Sequence, residues 1–246
     1  MNRPDDPRGG PRNRFATTEW SLVVAAGDLE NPSEREALSA LCRTYWLPIY
    51  VYLRRRGADE ERARDLTQGF FAKLLEKNYV GDARRERGRF RTFLLTSLRN
   101  FAANEWNRET AQKRGGGRVP ISIDDLDAEE HYRREPAHHD TPERLFDRRW
   151  ARILLDTSLN RLREETPEPA ARERFESLLP FMSGDSESGY REAAERLGMS
   201  ESATRVAVHR LRRRFRAIVR EEVSRTVGEH GEVEDELRHL FAAMES

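Results

Sequence analysis

The sequence predicts an all-α protein of two helical domains joined by a flexible linker, the second domain containing a helix-turn-helix. Three observations lead there. Apolar residues recur at three- and four-residue spacing along most of the 246-residue chain, the period of a helix with one buried face. No stretch of any length alternates apolar and polar residues as a half-buried strand would; VPISI, at 119–123, is the one short candidate. Apolar residues make up 37% and charged residues 36% of the chain. That is poorer in apolar and richer in charged residues than an ordinary globular domain, and it suits small helical modules with polar connections.

The elements follow in order. Residues 1–14, MNRPDDPRGGPRNR, are dominated by Pro, Gly and charge and read as a disordered tail. FATTEWSLVVAA, at 15–26, is apolar enough to dock on a domain and opens the first one, 15–112. From Ser33 the helical spacing runs through Ala37, Leu38, Leu41 and Tyr45. Pro48 is expected to kink or restart that helix before Tyr52 and Leu53, because proline has no N–H to donate. Gly57 marks the stop. A second helix over 59–77 carries Ala63, Leu66, Phe70, Phe71, Leu74 and Leu75 on one stripe. After GDARRERG comes RFRTFLLTSLRNFAANEWNRETAQKR. There Phe90, Leu94, Leu98, Phe101 and Ala102 face a core, with Arg91, Arg99, Arg108, Lys113 and Arg114 off that stripe.

Gly115 to Gly117 break the helix, and 113–140 reads as an acidic linker. The second domain, 141–223, opens with Thr141 as N-cap and Pro142 at the favoured first position. Leu155, Leu159 and Leu162 continue that helix until Pro167 and Pro169 interrupt it. ARERFESLLPFM is a shorter helix, and SGDSESG leads on to the helix-turn-helix at 190–216. An acidic helical extension, 224–246, closes the chain with Val233, Leu237, Leu240 and Phe241 on its apolar side.

The formal charge is zero, but it is a sum of blocks. From Arg84 to Arg118 there are ten Arg/Lys against three Glu; from Asp124 to Glu143, eight acids against two Arg. Tyr190 to Glu221 has nine Arg against four Glu, and Glu222 to Ser246 seven acids against two Arg. Two basic blocks beside two acidic ones point to two polyanion-facing surfaces. The acidic tail is well suited to cover the second basic block.

Other classes are excluded on similar grounds. Cys42 is the single cysteine, so no intrachain disulfide forms. There is neither a signal-peptide pattern nor an apolar run long enough for a membrane span, and a cytoplasmic protein with no membrane partner is expected. His131, His138, His139 and Asp140 cluster without a zinc spacing. The glycine triplet lacks the strand and the Lys-Ser/Thr of a phosphate loop. No enzyme, metal or cofactor is expected.

GMSESATRVAVHRLRRRFR, at 198–216, carries the sharpest signal. Gly198 suits a tight turn, and Ser200 is placed to cap a helix. Within that helix Thr204, Val208, Leu211 and Phe215 form one stripe, while Ser202, Arg205, His209, Arg212, Arg213 and Arg216 lie opposite. A helix of this kind enters a major groove with its N-terminal end leading. Arg205 and His209 are then placed for base edges, and Arg212, Arg213 and Arg216 for phosphates.

With those residues in place the chain resembles the sigma-70 family of RNA polymerase sigma factors, of the extracytoplasmic-function (ECF) type, over roughly 17–221. YREAAERLGMSESATRVAVHRLRRRFR is similar to the family's −35-reading helix-turn-helix. Val206 and Ala207 stand where the family commonly has Ser and Arg, a departure that removes one DNA contact. ARDLTQGFFAKLLE, at 63–76, resembles the segment that docks on core polymerase, which makes Asp65, Gln68, Lys73 and Glu76 the implied contact face. Gly69 stands there in place of the common Glu. FRTFLLTSLRNFAANEWNRETAQKR, at 90–114, resembles the segment that opens and reads the −10 element. The residues implied are Phe93, Arg99, Asn100, Asn104, Trp106, Arg108 and Arg114, aromatic and polar groups suited to unstacked bases. The resemblance implies core RNA polymerase and promoter DNA as partners, duplex at −35 and melted at −10, with an anti-sigma regulator as a further one. Two alternatives stay open: a helix-turn-helix regulator that needs no polymerase core, and a helical adaptor that never binds DNA. Only the last would show no salt-dependent DNA association.

Overall fold

The structure, a computed structural model, describes residues 32–74, 89–111, 128–133, 140–182, 189–227 and 232–245. The expectations for the tail, FATTEWSLVVAA, the glycine triplet, VPISI, His138 and His139 lie outside these residues. The described chain is all-α, with no strand among the described residues. In chain order the helices are α1 (Pro32–Arg55), α2 (Glu60–Leu74), α3 (Phe90–Ala111), α4 (Ala128–Arg133), α5 (Pro142–Glu164), α6 (Pro169–Leu178), α7 (Tyr190–Leu197), α8 (Glu201–Thr226) and α9 (Val233–Glu245). A short 3-10 turn, Leu179–Phe181, follows α6.

α1 settles one half of the expectation at Pro48: the helix does not restart there. The helix runs through it as one element of 24 residues. A mid-helix proline costs about 3 kcal/mol, and tertiary burial offsets it. Tyr45, Trp46, Ile49, Tyr50, Val51, Tyr52 and Leu53 are all buried around the proline. α1 packs on both α2 and α5. Trp46 stacks on Phe71 of α2, with centroids 5.9 Å apart and planes at 6°. Cys42 lies in the same core, where burial pushes its thiol up to about 12, so at neutral pH it is an unreactive packing group.

α2 buries Ala63, Leu66, Thr67, Phe70, Phe71 and Leu74 on one side, as its spacing implies. Gly69 is not required by that packing. A Cβ there would meet only the Phe101 ring edge, at 3.4 Å, with no backbone in the way. Gly69→Ala is therefore expected to stabilise the protein by about 0.5–1 kcal/mol through helix propensity. A thermal midpoint equal to or below that of the parent chain would contradict this.

α5 begins as the sequence implies. The Thr141 hydroxyl accepts from the Arg144 N–H at 3.2 Å, and Pro142 fills the first turn. The main apolar cluster runs across this start. It joins Leu145, Phe146, Trp150, Ala151 and Leu154 of α5 to α1, α2 and α3, and takes in Val219 and Val223 of α8 and Leu240 of α9. Two smaller clusters hold the other ends of α5 and α8: Leu162, Phe175 and Ile218 in one, Leu178, Phe181, Tyr190, Ala193 and Val208 in the other. The apolar packing thus changes over along α5 and α8.

Two ionic clusters fasten distant segments to this frame. The first lies within the stretch expected to be a flexible linker. Glu129 of α4 accepts from Tyr50 Oη at 2.6 Å and from Arg54 Nε and Nη2, both at 2.9 Å. The Arg54 guanidinium also lies 4.7 Å from the Tyr132 ring centroid. Burial alone would raise the Glu129 carboxyl, but the bonds from Arg54 and Tyr50 hold it well below its ordinary value of 4.5, at about 2. A depressed carboxyl stabilises the folded state above its unfolded-state value and loses that contribution as pH falls. Glu129→Gln is therefore expected to lower the urea midpoint at neutral pH. The gap to the parent should narrow steadily as pH falls from 4.5 toward 2. A gap that does not change with pH would contradict it.

The second cluster corrects one expectation. Arg91, expected off the buried stripe of α3, is itself buried, with 5% of its side chain exposed. It bonds Asp147 Oδ1 of α5 at 2.5 Å and Glu236 Oε1 of α9 at 2.9 Å, and its guanidinium lies 5.3 Å from the Trp150 ring centroid. Glu236 is fully buried and also lies 3.3 Å from Arg89 Nε. The acids of the first turn of α9 are thus taken up away from residues 201–216: Asp235 and Glu236 by Arg89 and Arg91, Glu234 by Arg220 in the C-terminal half of α8. They fasten the C-terminal helix to the start of α3.

Candidate nucleic-acid interface

α7 and α8 pack against each other across a three-residue connection, and the local sequence dictates its shape. Gly198 takes φ 61°, ψ 35°, the left-handed conformation open to glycine, and its N–H reaches Ala194 O and Glu195 O. Ser200 then caps α8: its hydroxyl accepts from the Ala203 N–H at 3.1 Å. Such a cap is worth about 1 kcal/mol. Small residues let the two helices approach. Ala193 and Ala194 of α7 are buried, as are Thr204 and Val208 of α8.

On the opposite side of α8 lies a cationic face. Ser202, Arg205, His209, Arg213 and Arg216 are all exposed, as expected. Arg205 is held by two neighbours. It pairs with Glu201 at 2.8 Å, one turn back, and its guanidinium sits 4.6 Å from the Tyr190 ring centroid. That contact ties Arg205 to the first residue of α7. Arg212 departs from the expectation of a freely exposed phosphate contact. It is half-buried, and its Nη2 donates to Phe181 O at 2.5 Å, holding the 3-10 turn against α8. Arg214 is exposed and bonds Glu165 with Nε at 2.7 Å. Sequence reasoning passed over Arg210 and Arg220, which are exposed on α8. Their signal was present: both lie off the Thr204–Val208 stripe.

α3 carries the second polar face. Its buried side holds Phe90, Leu94, Leu98, Phe101 and Ala102. Arg99 and Asn100 are exposed on the opposite side, together with Thr92, Thr96 and Ala103. Asn104 and Arg108 are exposed further along, Arg108 in contact with Glu105 at 3.1 Å. The two aromatics differ from these. Phe93 is half-buried against the main core, 6.1 Å from the Phe90 ring. Trp106 is also half-buried on that core, and the Arg56 guanidinium lies over its ring at 5.6 Å. A base stacking on that face of Trp106 would first displace Arg56. Arg114 lies outside the described residues.

On α2, Asp65 is exposed and Gln68 and Lys73 are half-buried, all clear of the buried stripe of Leu66, Phe70 and Leu74. Asp65 and Gln68 share one side; Lys73 lies round the helix from them. Glu76 falls beyond the described part of this helix. Among the described residues no helix is long and apolar enough to cross a membrane.

A family model described as ECF sigma factor matches residues 52–222. That span takes in all of α2, α3 and α7 and all but the last turn of α8, and so all three polar faces. No curated protein and no solved structure matches the chain.

Proposed function

Since the chain belongs to the ECF sigma factor family and has a sigma factor's role in transcription initiation, we propose that it binds core RNA polymerase, directs it to specific promoters and helps to open them. Asp65, Gln68 and Lys73, the polar residues of α2 clear of its buried stripe, dock on the polymerase, and Glu76 belongs to the same contact set. The α3 face of Arg99, Asn100, Asn104 and Arg108 meets the −10 element as its strands separate. The α8 face of Ser202, Arg205, His209, Arg213 and Arg216 lies in the duplex major groove at −35. Phe93 and Trp106 support the α3 helix, and Arg212 positions α8. Two DNA-facing units, 15–112 and 141–223 around a linker at 113–140, belong to the same reading, as do an anti-sigma regulator and a cytoplasmic site of action.

One observation carries the proposal: two polar, cationic helix faces, each exposed opposite a buried stripe, both lie within the span that matches the family. The chemistry required is binding and strand separation, which such faces supply through phosphate contacts and through hydrogen bonds to base edges. The test is initiation by core polymerase on genomic DNA with and without the purified chain, with start sites sequenced. New start sites sharing two spaced elements are expected. Failure to associate with core polymerase would overturn the reading, and tight duplex binding without polymerase would favour a conventional regulator.

A further inference from the structure

We propose that Val206 is a specificity-determining residue that reads the C5-methyl group of a thymine in the duplex. This rests on the reading of α8 as the groove-entering helix. Among the described residues only Val206, Phe241 and Met244 are large apolar side chains that stand exposed, Val206 at 48%. The other two lie together at the end of α9. Val206 stands alone among polar and cationic groups: Ser202 one turn before it, Arg205 beside it, His209 and Arg210 one turn after.

Its direction is fixed by its neighbours. Thr204 and Val208, two residues to either side, are both buried. At about 3.6 residues per turn each lies about 200° round the helix from Val206, so the isopropyl group points almost straight away from the core. It therefore stands on the outward edge of that face, next to Ser202, His209 and Arg213, in the N-terminal half of α8 that leads into a groove. Of the four bases, thymine alone presents a methyl group in the major groove, and apolar side chains are its usual readers. A β-branched side chain is held to one strongly preferred rotamer in a helix, so the contact is preformed. The residue that seemed to delete a polar contact supplies an apolar one, while Arg205 and His209 flank it with hydrogen-bonding groups.

The experiment uses the full chain with core polymerase. Bound sequences are selected from a random duplex library, and each thymine of the enriched upstream element is replaced in turn by deoxyuridine, which lacks only the methyl. Burying one such group is worth about 0.8 kcal/mol, so one replacement should weaken binding by about fourfold. Val206→Ala should bind the thymine duplex about fourfold more weakly and lose that discrimination. Val206 is exposed and alanine favours helices, so the variant keeps its fold. If no deoxyuridine position weakens binding, or the same position remains sensitive in Val206→Ala, the inference is overturned. If no element is enriched at all, the proposed function itself fails, a result distinct from the other two.

Discussion

Replacing Glu236 by alanine is expected to destabilise the protein by about 3–5 kcal/mol, a large share of the 5–15 kcal/mol typical of a whole fold. Glu236 is fully buried, and its two oxygens face Arg91 Nε at 2.9 Å and Arg89 Nε at 3.3 Å. Alanine removes the carboxylate and leaves Arg91 buried against the Trp150 ring with Asp147 as its remaining partner. Desolvation of that charge is then offset only in part. Arg91→Met should be comparably costly, since it leaves Asp147 and Glu236 without their shared cation. Replacing both Arg91 by Met and Glu236 by Ala should cost less than the two single changes added together, because no half of the pair is left behind. Urea unfolding of the four chains measures the coupling, and strictly additive costs would refute it. Hydrogen exchange gives a second readout: amides of 233–245 should lose protection in the Glu236 variant before those of α1. The acidic tail then counts as a part of the fold that holds α3 and α5 together.

The Arg91 cluster also shows where sequence reasoning reaches and where it stops. Gly198, Ser200, Thr141 and Pro142 were readable because each acts within four residues of itself: a left-handed turn, a cap, a fixed φ. The stripe of Thr204 and Val208 was readable because helical period alone predicts it. Arg91 was not. Its partners lie 56 and 145 residues away, and an arginine at a helix start resembles any solvated charge until they are in place. The tail followed the same logic. Its acids matched the basic block of α8 in charge, but Arg89 and Arg91 are more deeply placed and take Glu236 into the core. At Pro48 the local rule was sound and was outweighed: a dense run of buried aromatics on both sides of the proline keeps the helix whole. Charge counting ranked Arg212 with its neighbours and gave no sign that its guanidinium also bonds the carbonyl of Phe181. Val206 was visible from the start, as a departure from the family pattern. Its meaning needed the burial of Thr204 and Val208 to show which way it points.

Arg205 and Arg213 are expected to fail in different ways. Arg205 lies beside Val206 near the leading end of α8, held by Glu201 and by the Tyr190 ring. A guanidinium so oriented can give two parallel hydrogen bonds to a guanine, a contact worth about 1–3 kcal/mol of discrimination. Arg205→Ala should relax base preference at one position by about 5- to 150-fold, the same energy expressed as a ratio. Overall affinity for unrelated sequences should change little. Arg213 lies two turns further on and exposed, where the proposed placement of α8 brings it to the phosphate backbone. Arg213→Ala should weaken every sequence alike and reduce the slope of log affinity against log salt by about 0.9, one phosphate contact. The intramolecular pair adds a condition. Arg205 must keep or exchange Glu201 when it meets DNA, so Glu201→Gln should leave base preference intact and raise affinity modestly by removing a negative charge from a DNA-facing surface. Titrations with core polymerase across several salt concentrations, on the selected element and on single-base variants, separate these outcomes. An equal loss of preference in the Arg205 and Arg213 variants would mean that the face does not divide into a reading half and an anchoring half. The placement of α8 in the groove would then need to be turned about its own axis.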